Sequence, residues 1–135
     1  MENQNPVAIL LGTYNADKYI EDLLDSLIIQ TYQEWTLYIR DDGSLDNTKT
    51  IVEQYARLNE NIVWVEDSKG NLGTKNNFQE LLTQIDSDYY MFCDQDDVWL
   101  PNKIELTLNK MHQIEASTSF LKPVLIYSDL VVVDS

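Results

Sequence analysis

The sequence predicts an α/β domain with a doubly wound, mostly parallel sheet and flanking helices. Short apolar runs of strand length alternate with segments in which apolar residues recur at helical spacing. Several of these runs are continuously apolar, which is typical of strands buried on both faces of a parallel sheet. Parallel strands joined through helices by right-handed crossovers form the doubly wound architecture.

The first half of the chain contains two strand–helix units. A strand over residues 7–11 precedes a helix over about residues 16–31, in which apolar residues recur every three or four positions. A second strand, over residues 36–40, precedes a helix that Asp46 or Asn47 can cap. The buried stripe of this helix is expected at Ile51, Val52, Tyr55 and Leu58.

The second half continues the alternation. Strands are expected over residues 62–65 and 89–94, each followed by a helix. The apolar stripes of these helices are expected at Phe78, Leu81, Leu82 and Ile85 and, after Pro101, at Ile104, Leu108, Met111 and Ile114. A fifth strand is expected over residues 124–127 and 130–133, with a bend at residues 128–129.

Length and composition are those of one folded domain. Of 135 residues, 44% are apolar and 24% are charged, which suits a single core. No run reaches the ~18 apolar residues of a membrane span, and the first residues lack signal-peptide features. Cys93 is the only cysteine and falls inside a predicted strand, so it is expected to be a core thiol. We therefore expect a cytoplasmic domain, held at the inner face of a membrane only by other parts of the protein or by partners.

The charge balance is strongly acidic. Nine Lys and Arg residues against 23 Asp and Glu residues give a net charge of −14. This balance argues against a nucleic-acid-binding or anionic-membrane-binding surface. An anionic ligand would need local positive charge from a bound cation, a helix N-terminus or a placed lysine.

Polar turns follow the first four predicted strands, and carboxyl ends of strands are where open α/β sheets bind ligands. The turns are Thr13-Tyr14-Asn15, Asp41-Asp42-Gly43-Ser44, residues 70–76 with Lys75, and Asp94-Gln95-Asp96-Asp97. A tyrosine can stack on a base, an aspartate accepts from an imide N–H, and a lysine can approach phosphate. Together the turns predict a nucleoside-diphosphate site. Taken singly, each can be explained as a strand end, a turn or a solvated helix residue.

Asp94 and Asp96 are the candidate metal ligands. Two carboxylates at this spacing just past a strand repel each other and need a positive partner. Mg²⁺ or Mn²⁺ is the simplest partner, because these cations take one or two carboxylates and complete their coordination with phosphate oxygens and water. The competing interpretation is an acidic, solvated loop that caps the next helix.

These motifs resemble the family 2 glycosyltransferases, which have the GT-A nucleotide-diphospho-sugar-binding fold. The resemblance covers essentially the whole chain and rests on the four turns, on Asn71-Leu72-Gly73 and on Gln30-Thr31-Tyr32-Gln33-Glu34-Trp35. The sequence Asp-Gln-Asp-Asp-Val-Trp-Leu-Pro, which follows the fourth strand, is most similar to that of rhamnosyltransferase-type members, which build bacterial surface polysaccharides.

The resemblance implies inverting transfer of a sugar from a UDP- or dTDP-linked donor to a saccharide or lipid-linked saccharide acceptor. The residues that it assigns to the donor nucleotide are Thr13, Tyr14, Asn15, Asp41, Asp42, Lys75 and Asp94. In this assignment Tyr14 stacks on the base and Asp42 accepts the base N–H. Asp96, with Asp94, holds Mn²⁺ or Mg²⁺.

No general base for the acceptor is identified. In the family this residue lies in the acceptor-binding half, and Asp129 and Asp134 come too early in the pattern. We therefore expect residues 1–135 to be the donor-binding domain of a longer enzyme, with the base beyond Ser135. Two alternatives stay open: a non-catalytic nucleotide-binding domain, and a phosphatase of the haloacid-dehalogenase type with Asp94 as nucleophile.

Overall fold

The computed structural model describes residues 6–117, 123–128 and 130–131. Strands and helices alternate as predicted. In chain order they are β1 (Val7–Thr13), α1 (Ile20–Ile28), β2 (Trp35–Asp41), α2 (Thr48–Leu58), β3 (Ile62–Trp64), α3 (Thr74–Gln84), β4 (Tyr89–Cys93) and α4 (Lys103–Ser117).

Within the described residues, the four strands form one sheet in the order β3-β2-β1-β4. All three strand pairs are parallel, and Leu10 at the centre of β1 is in register with Tyr38 of β2 and Phe92 of β4. The most apolar strand is therefore central, where both faces are covered.

Helices cover both faces of the sheet, which confirms the predicted doubly wound class. On one face, Ile9 and Leu11 belong to a large core cluster that includes residues of α1, α2 and α4. On the other face, Ala8 and Leu10 pack with Leu81 of α3. The alternation of β1 side chains between these two clusters explains why the whole strand is apolar.

Several helix boundaries differ from the predictions for identifiable reasons. The backbone N–H of Ala16 donates to the hydroxyl of Thr48 at 2.8 Å, and α1 begins only at Ile20. Of the two residues predicted to cap α2, Asn47 occupies the N-cap position without a side-chain capping bond, and the Asp46 carboxylate accepts the Thr48 N–H at 3.0 Å. Leu58 was predicted to be buried but is 85% exposed, because it is the last residue of α2 and lies outside both core clusters.

The predicted fifth strand is wrong for the residues that the structure describes. Residues 124–127 and 130–131 have no strand conformation, and Leu125 and Tyr127 are 79% and 89% exposed. An apolar run becomes a strand only when it pairs, and among the described residues β4 pairs with β1 alone. Residues 129 and 132–133 lie outside the described part of the chain.

None of the helices that the structure describes is long and apolar enough to span a lipid bilayer.

Candidate functional site

A cleft of about 280 Å³ lies at the carboxyl ends of β1, β2 and β4, beside the start of α3. It is lined by Gly12, Thr13, Tyr14, Asp42, Thr74, Asn77, Phe78, Asp94, Gln95 and Asp96. Five of the predicted site residues are thus brought together: Thr13, Tyr14, Asp42, Asp94 and Asp96. Asn15, Asp41 and Lys75 do not line the cleft.

Asp41 organises the turn that follows β2. Its carboxylate accepts the hydroxyl of Thr13 at 2.7 Å, the N–H of Gly43 at 3.1 Å and both the N–H and the hydroxyl of Ser44 at 2.7 and 2.6 Å. Gly43 has a positive φ of 97°, which its lack of a side chain permits. Because one of these donors is Thr13 at the end of β1, the Asp41 carboxylate holds the carboxyl ends of β1 and β2 together beside the cleft.

Asn15 makes the second link between these two turns. Its side-chain oxygen accepts the N–H of Leu45 at 2.9 Å, and its own N–H donates to Ser44 at 2.8 Å. Asn15 has a positive φ of 48°, a conformation that asparagine tolerates better than most residues. It therefore shapes the turn that presents Tyr14.

Tyr14 offers an accessible aromatic face on a fixed backbone. Its side chain is 48% exposed. The side chain of Gln95 accepts the Tyr14 N–H at 2.8 Å and donates to the Tyr14 carbonyl at 3.2 Å. Gln95 had no predicted role, since its partner lies 81 positions away in the sequence. This pair of bonds connects the turn after β1 to the acidic turn after β4.

Asp42 is buried, at 4% exposure, yet lines the cleft. Its carboxylate accepts the N–H groups of Leu72 at 2.7 Å and Gly73 at 2.9 Å, and the guanidinium of Arg40 at 3.2 Å. Gly73 is the N-cap of α3 and has a φ of 82°. Asp42 therefore joins β2 to the start of α3.

Arg40 is the buried cation behind this edge of the cleft, at 3% exposure. Its guanidinium donates to both carboxylate oxygens of Asp67 at 2.8 and 3.0 Å, to the Gly70 carbonyl at 2.9 Å, to the Asn77 side chain at 2.9 Å and to Asp42. The hydrogen bond to Asp67 raises the pKa of Arg40 and lowers the pKa of Asp67 below its ordinary value. No role was predicted for this network. An arginine inside a predicted strand, directly after apolar Ile39, was the available signal, because buried arginines need acidic partners.

Asn77 completes the network beside Gly12. It is 2% exposed, and its amide donates to the Arg40 carbonyl at 3.0 Å. A side-chain carbon at Gly12 would lie 2.8 Å from the Asn77 amide nitrogen. The absence of a side chain at Gly12 therefore lets Asn77 of α3 pack closely against β1 beside the cleft.

Asp94 and Asp96 present a contrasting carboxylate pair. Both are exposed, and neither side chain has a hydrogen bond or ion pair with any residue that the structure describes. Burial, followed by the charges of Asp94 and Asp96, raises the pKa of neighbouring Asp97. The described residues contain no group of three side chains suited to a metal. A Mg²⁺ or Mn²⁺ ion needs only one or two protein carboxylates when phosphate and water supply its other ligands, and this pair fits that requirement.

Four other residues for which the sequence suggested a role do not line the cleft: Lys75, Cys93, Trp99 and His112. Lys75 is exposed in the first turn of α3 and forms no hydrogen bond or ion pair with the described residues. Cys93 is buried, which raises the pKa of its thiol and confirms a core role. Trp99 is 3% exposed and packs in the large core cluster, so it offers no stacking face. His112 packs edge-on against Tyr89, with ring centres 5.6 Å apart.

A family model described as glycosyl transferase family 2 matches residues 8–131. The chain belongs to this family. Membership of the glycosyl transferase family 2 argues against the alternative that the chain is a phosphatase of the haloacid-dehalogenase type. Among curated family relatives, the chain is 32% identical over 105 residues to the Escherichia coli UDP-Glc:alpha-D-GlcNAc-diphosphoundecaprenol beta-1,3-glucosyltransferase WfgD, and 35% identical over 99 residues to the Shigella flexneri dTDP-rhamnosyl transferase RfbG. The second match agrees with the rhamnosyltransferase-like motif.

The family 2 match concerns only part of each relative. The aligned segments cover 78% of this chain and 40% of WfgD, and 70% of this chain and 34% of RfbG. The matched segment therefore spans less than half the length of each of these relatives.

Solved structures confirm the GT-A fold of this family member. A portion of S. aureus TarS in complex with UDP superposes with a TM-score of 0.71 at 27% identity, covering 80% of this chain and 32% of that one. The Pyrobaculum calidifontis mannosyltransferase PcManGT, solved with GDP-Man and Mn²⁺, shares the fold with a TM-score of 0.64 at 23% identity, covering 71% of this chain and 29% of that one.

Proposed function

We propose that this chain is the donor-binding part of an inverting glycosyltransferase. The enzyme would transfer a sugar from a UDP- or dTDP-linked donor to a saccharide or lipid-linked saccharide acceptor in cell-surface polysaccharide synthesis. The observation that carries the proposal is one cleft that combines an exposed tyrosine face, a buried aspartate and two unpaired carboxylates. The donor and acceptor in the name of WfgD, the dTDP-sugar in that of RfbG and the UDP bound to TarS support it.

In the proposed complex, the base stacks on Tyr14, whose exposed ring lies on a backbone that Gln95 fixes. Asp42 accepts the imide N–H of the base, and Asp94 contacts the ribose. Thr13, Asn15 and Asp41 contribute by holding the two turns in place through the hydrogen bonds described above.

Asp96, assisted by Asp94, would hold Mn²⁺ or Mg²⁺. The bound cation supplies positive charge that stabilises the leaving diphosphate. Lys75 would add charge from the first turn of α3, where its side chain is exposed and free to turn toward phosphate. The N-terminus of α3 would also favour an anion. Thr74, its first residue, lines the cleft, and the first turn of a helix carries partial positive charge.

Activation of the acceptor hydroxyl would come from a general base beyond Ser135. The relatives are more than twice as long as the segment matched here, and we place the base and the acceptor site in that additional region. Residues 1–135 would then form the donor-binding domain, acting in the cytoplasm at the inner face of the membrane.

Isothermal titration calorimetry with UDP and dTDP tests this proposal. We expect binding with Mn²⁺ or Mg²⁺ present and none after chelation by EDTA. Asp96→Ala should abolish binding without unfolding the chain. Asp86→Ala is the matched control, because Asp86 is an exposed aspartate that lies outside the cleft. Metal-independent binding, or no binding by a folded sample, would overturn the proposal.

A separate assay addresses the non-catalytic alternative. Sugar transfer would be measured with a chain extended to the length of its relatives. Metal-dependent donor binding without any transfer to a range of saccharide acceptors would favour a binding domain over an enzyme.

A further inference from the structure

The Arg40 network joins three separate segments of the chain behind the cleft. All five N–H donors of an arginine are used: two on Asp67, one each on Gly70, Asn77 and Asp42. Asp67 and Gly70 lie in the loop before α3, and Asn77 lies within α3. None of Arg40, Asp67 and Gly70 lines the cleft, whereas Asp42 and Asn77 do. The guanidinium therefore influences the cleft through its partners.

The Asp42 carboxylate has little remaining hydrogen-bonding capacity. A carboxylate offers about four acceptor positions. Two on Oδ1 are taken by Arg40 and the Leu72 N–H, and one on Oδ2 is taken by the Gly73 N–H. One acceptor position on Oδ2 is left for a ligand. Its direction depends on how the other three donors hold the carboxylate.

We propose that Arg40, anchored by Asp67, is a positioning residue that sets the base selectivity of the cleft through Asp42. This inference rests on the proposed donor-binding function. Uracil and thymine present an imide N–H that the remaining Asp42 position can accept. Cytosine presents an unprotonated ring nitrogen at the same place, so two acceptors would face each other. A fixed carboxylate enforces this difference, whereas a mobile one can turn away from it.

A purely structural role for Arg40 predicts a different outcome. Loss of packing alone would weaken the whole site and would lower the affinities for UDP and CDP by similar factors. The ratio of the two dissociation constants therefore separates positioning from general destabilisation, because the two ligands share the ribose and the diphosphate.

The test measures the dissociation constants of UDP and CDP with Mn²⁺ for the wild-type chain and for Arg40→Lys, Asp67→Asn and Arg57→Lys. Lysine keeps the charge of Arg40 but cannot supply five donors in a fixed plane. Arg57 is an exposed arginine of α2 outside the network and is the matched control. Circular dichroism establishes that each variant is folded.

We expect the wild-type chain to prefer UDP and the preference to fall by about tenfold in Arg40→Lys, the effect of losing one charged hydrogen bond. Asp67→Asn should lower it by a smaller factor, and Arg57→Lys should leave it unchanged. An unchanged preference in folded Arg40→Lys would overturn the inference. If Arg40→Lys does not fold, an unchanged preference in Asp67→Asn overturns it instead.

Wild-type behaviour separates this inference from the proposed function. A wild-type chain that binds UDP and CDP equally would contradict the selectivity inference and leave metal-dependent donor binding intact. A folded wild-type chain that binds neither ligand would contradict both.

Discussion

Two aspartate pairs lie at the carboxyl ends of parallel strands in this protein, and they have opposite surroundings. Asp41 ends β2 and Asp42 follows it, and their carboxylates accept hydrogen bonds from seven protein donors. Asp94 and Asp96 follow β4, are exposed and have no side-chain partner among the described residues. The first pair builds the cleft and keeps one acceptor position of Asp42 for a ligand, whereas the carboxylates of the second pair are wholly available to one. Similar residues at similar fold positions are thus bonded within the protein in one turn and unpaired in the other, where we propose that they hold the metal.

The largest expected difference between the two pairs is in stability. Asp42→Ala leaves the N–H groups of Leu72 and Gly73 and one donor of Arg40 without their acceptor, at a cost of about 3 kcal/mol in the free energy of unfolding. Asp96→Ala should change it by less than about 0.5 kcal/mol, as for other exposed residues. Urea denaturation of both variants measures the difference. Equal losses would show that the two turns are not distinct in role.

The pH dependence of stability should follow the buried network. The pKa of Asp67 is lowered from its ordinary value of 3.8, mainly by its hydrogen bond from Arg40. The ion pair therefore stabilises the fold above the unfolded pKa, and this stability is lost as pH falls from about 5 toward the folded pKa. Denaturant unfolding at a series of pH values should show a shallower acid decline for Asp67→Asn than for the wild-type chain. Identical slopes would contradict the importance of this pair.

Gly12→Ala tests the close packing between β1 and α3. The added carbon would lie 2.8 Å from the Asn77 amide, which Arg40 holds on both sides, and we expect a loss of about 1–3 kcal/mol. The loss should shrink in an Asn77→Ala background, where the obstructing amide is absent. Thermal unfolding of the single and double variants completes the cycle, and additive effects would argue against the clash.

Gln95→Ala should have the smallest effect of the four, because both of its bonds to Tyr14 are exposed. We expect the stability to fall by about 1 kcal/mol or less and UDP affinity to fall severalfold, since the stacking tyrosine loses its backbone restraint. Calorimetry on Gln95→Ala and on Gln33→Ala, a glutamine that does not line the cleft, provides the comparison. Unchanged affinity for UDP would show that the hydrogen bonds between Gln95 and Tyr14 do not affect nucleotide binding.

The parts of this structure that follow from local pattern were predictable. The apolar runs became β1 and β4, and the polar turns after them meet at one edge because parallel strands share an orientation. The Arg40–Asp67 pair and the Gln95–Tyr14 bonds join residues 27 and 81 positions apart, which no local pattern reveals. The fifth strand failed for a related reason, since an apolar run at residues 124–127 does not indicate whether a partner strand is present.

A crystal structure of the chain with UDP and Mn²⁺, with the metal located by its anomalous scattering, tests the contrast between the two pairs most directly. We predict a manganese peak bound to the Asp96 carboxylate beside Asp94, with the uracil ring against Tyr14. A peak on Asp41 or Asp42, or UDP bound away from this cleft, would contradict the assignment of the β4 turn as the metal site.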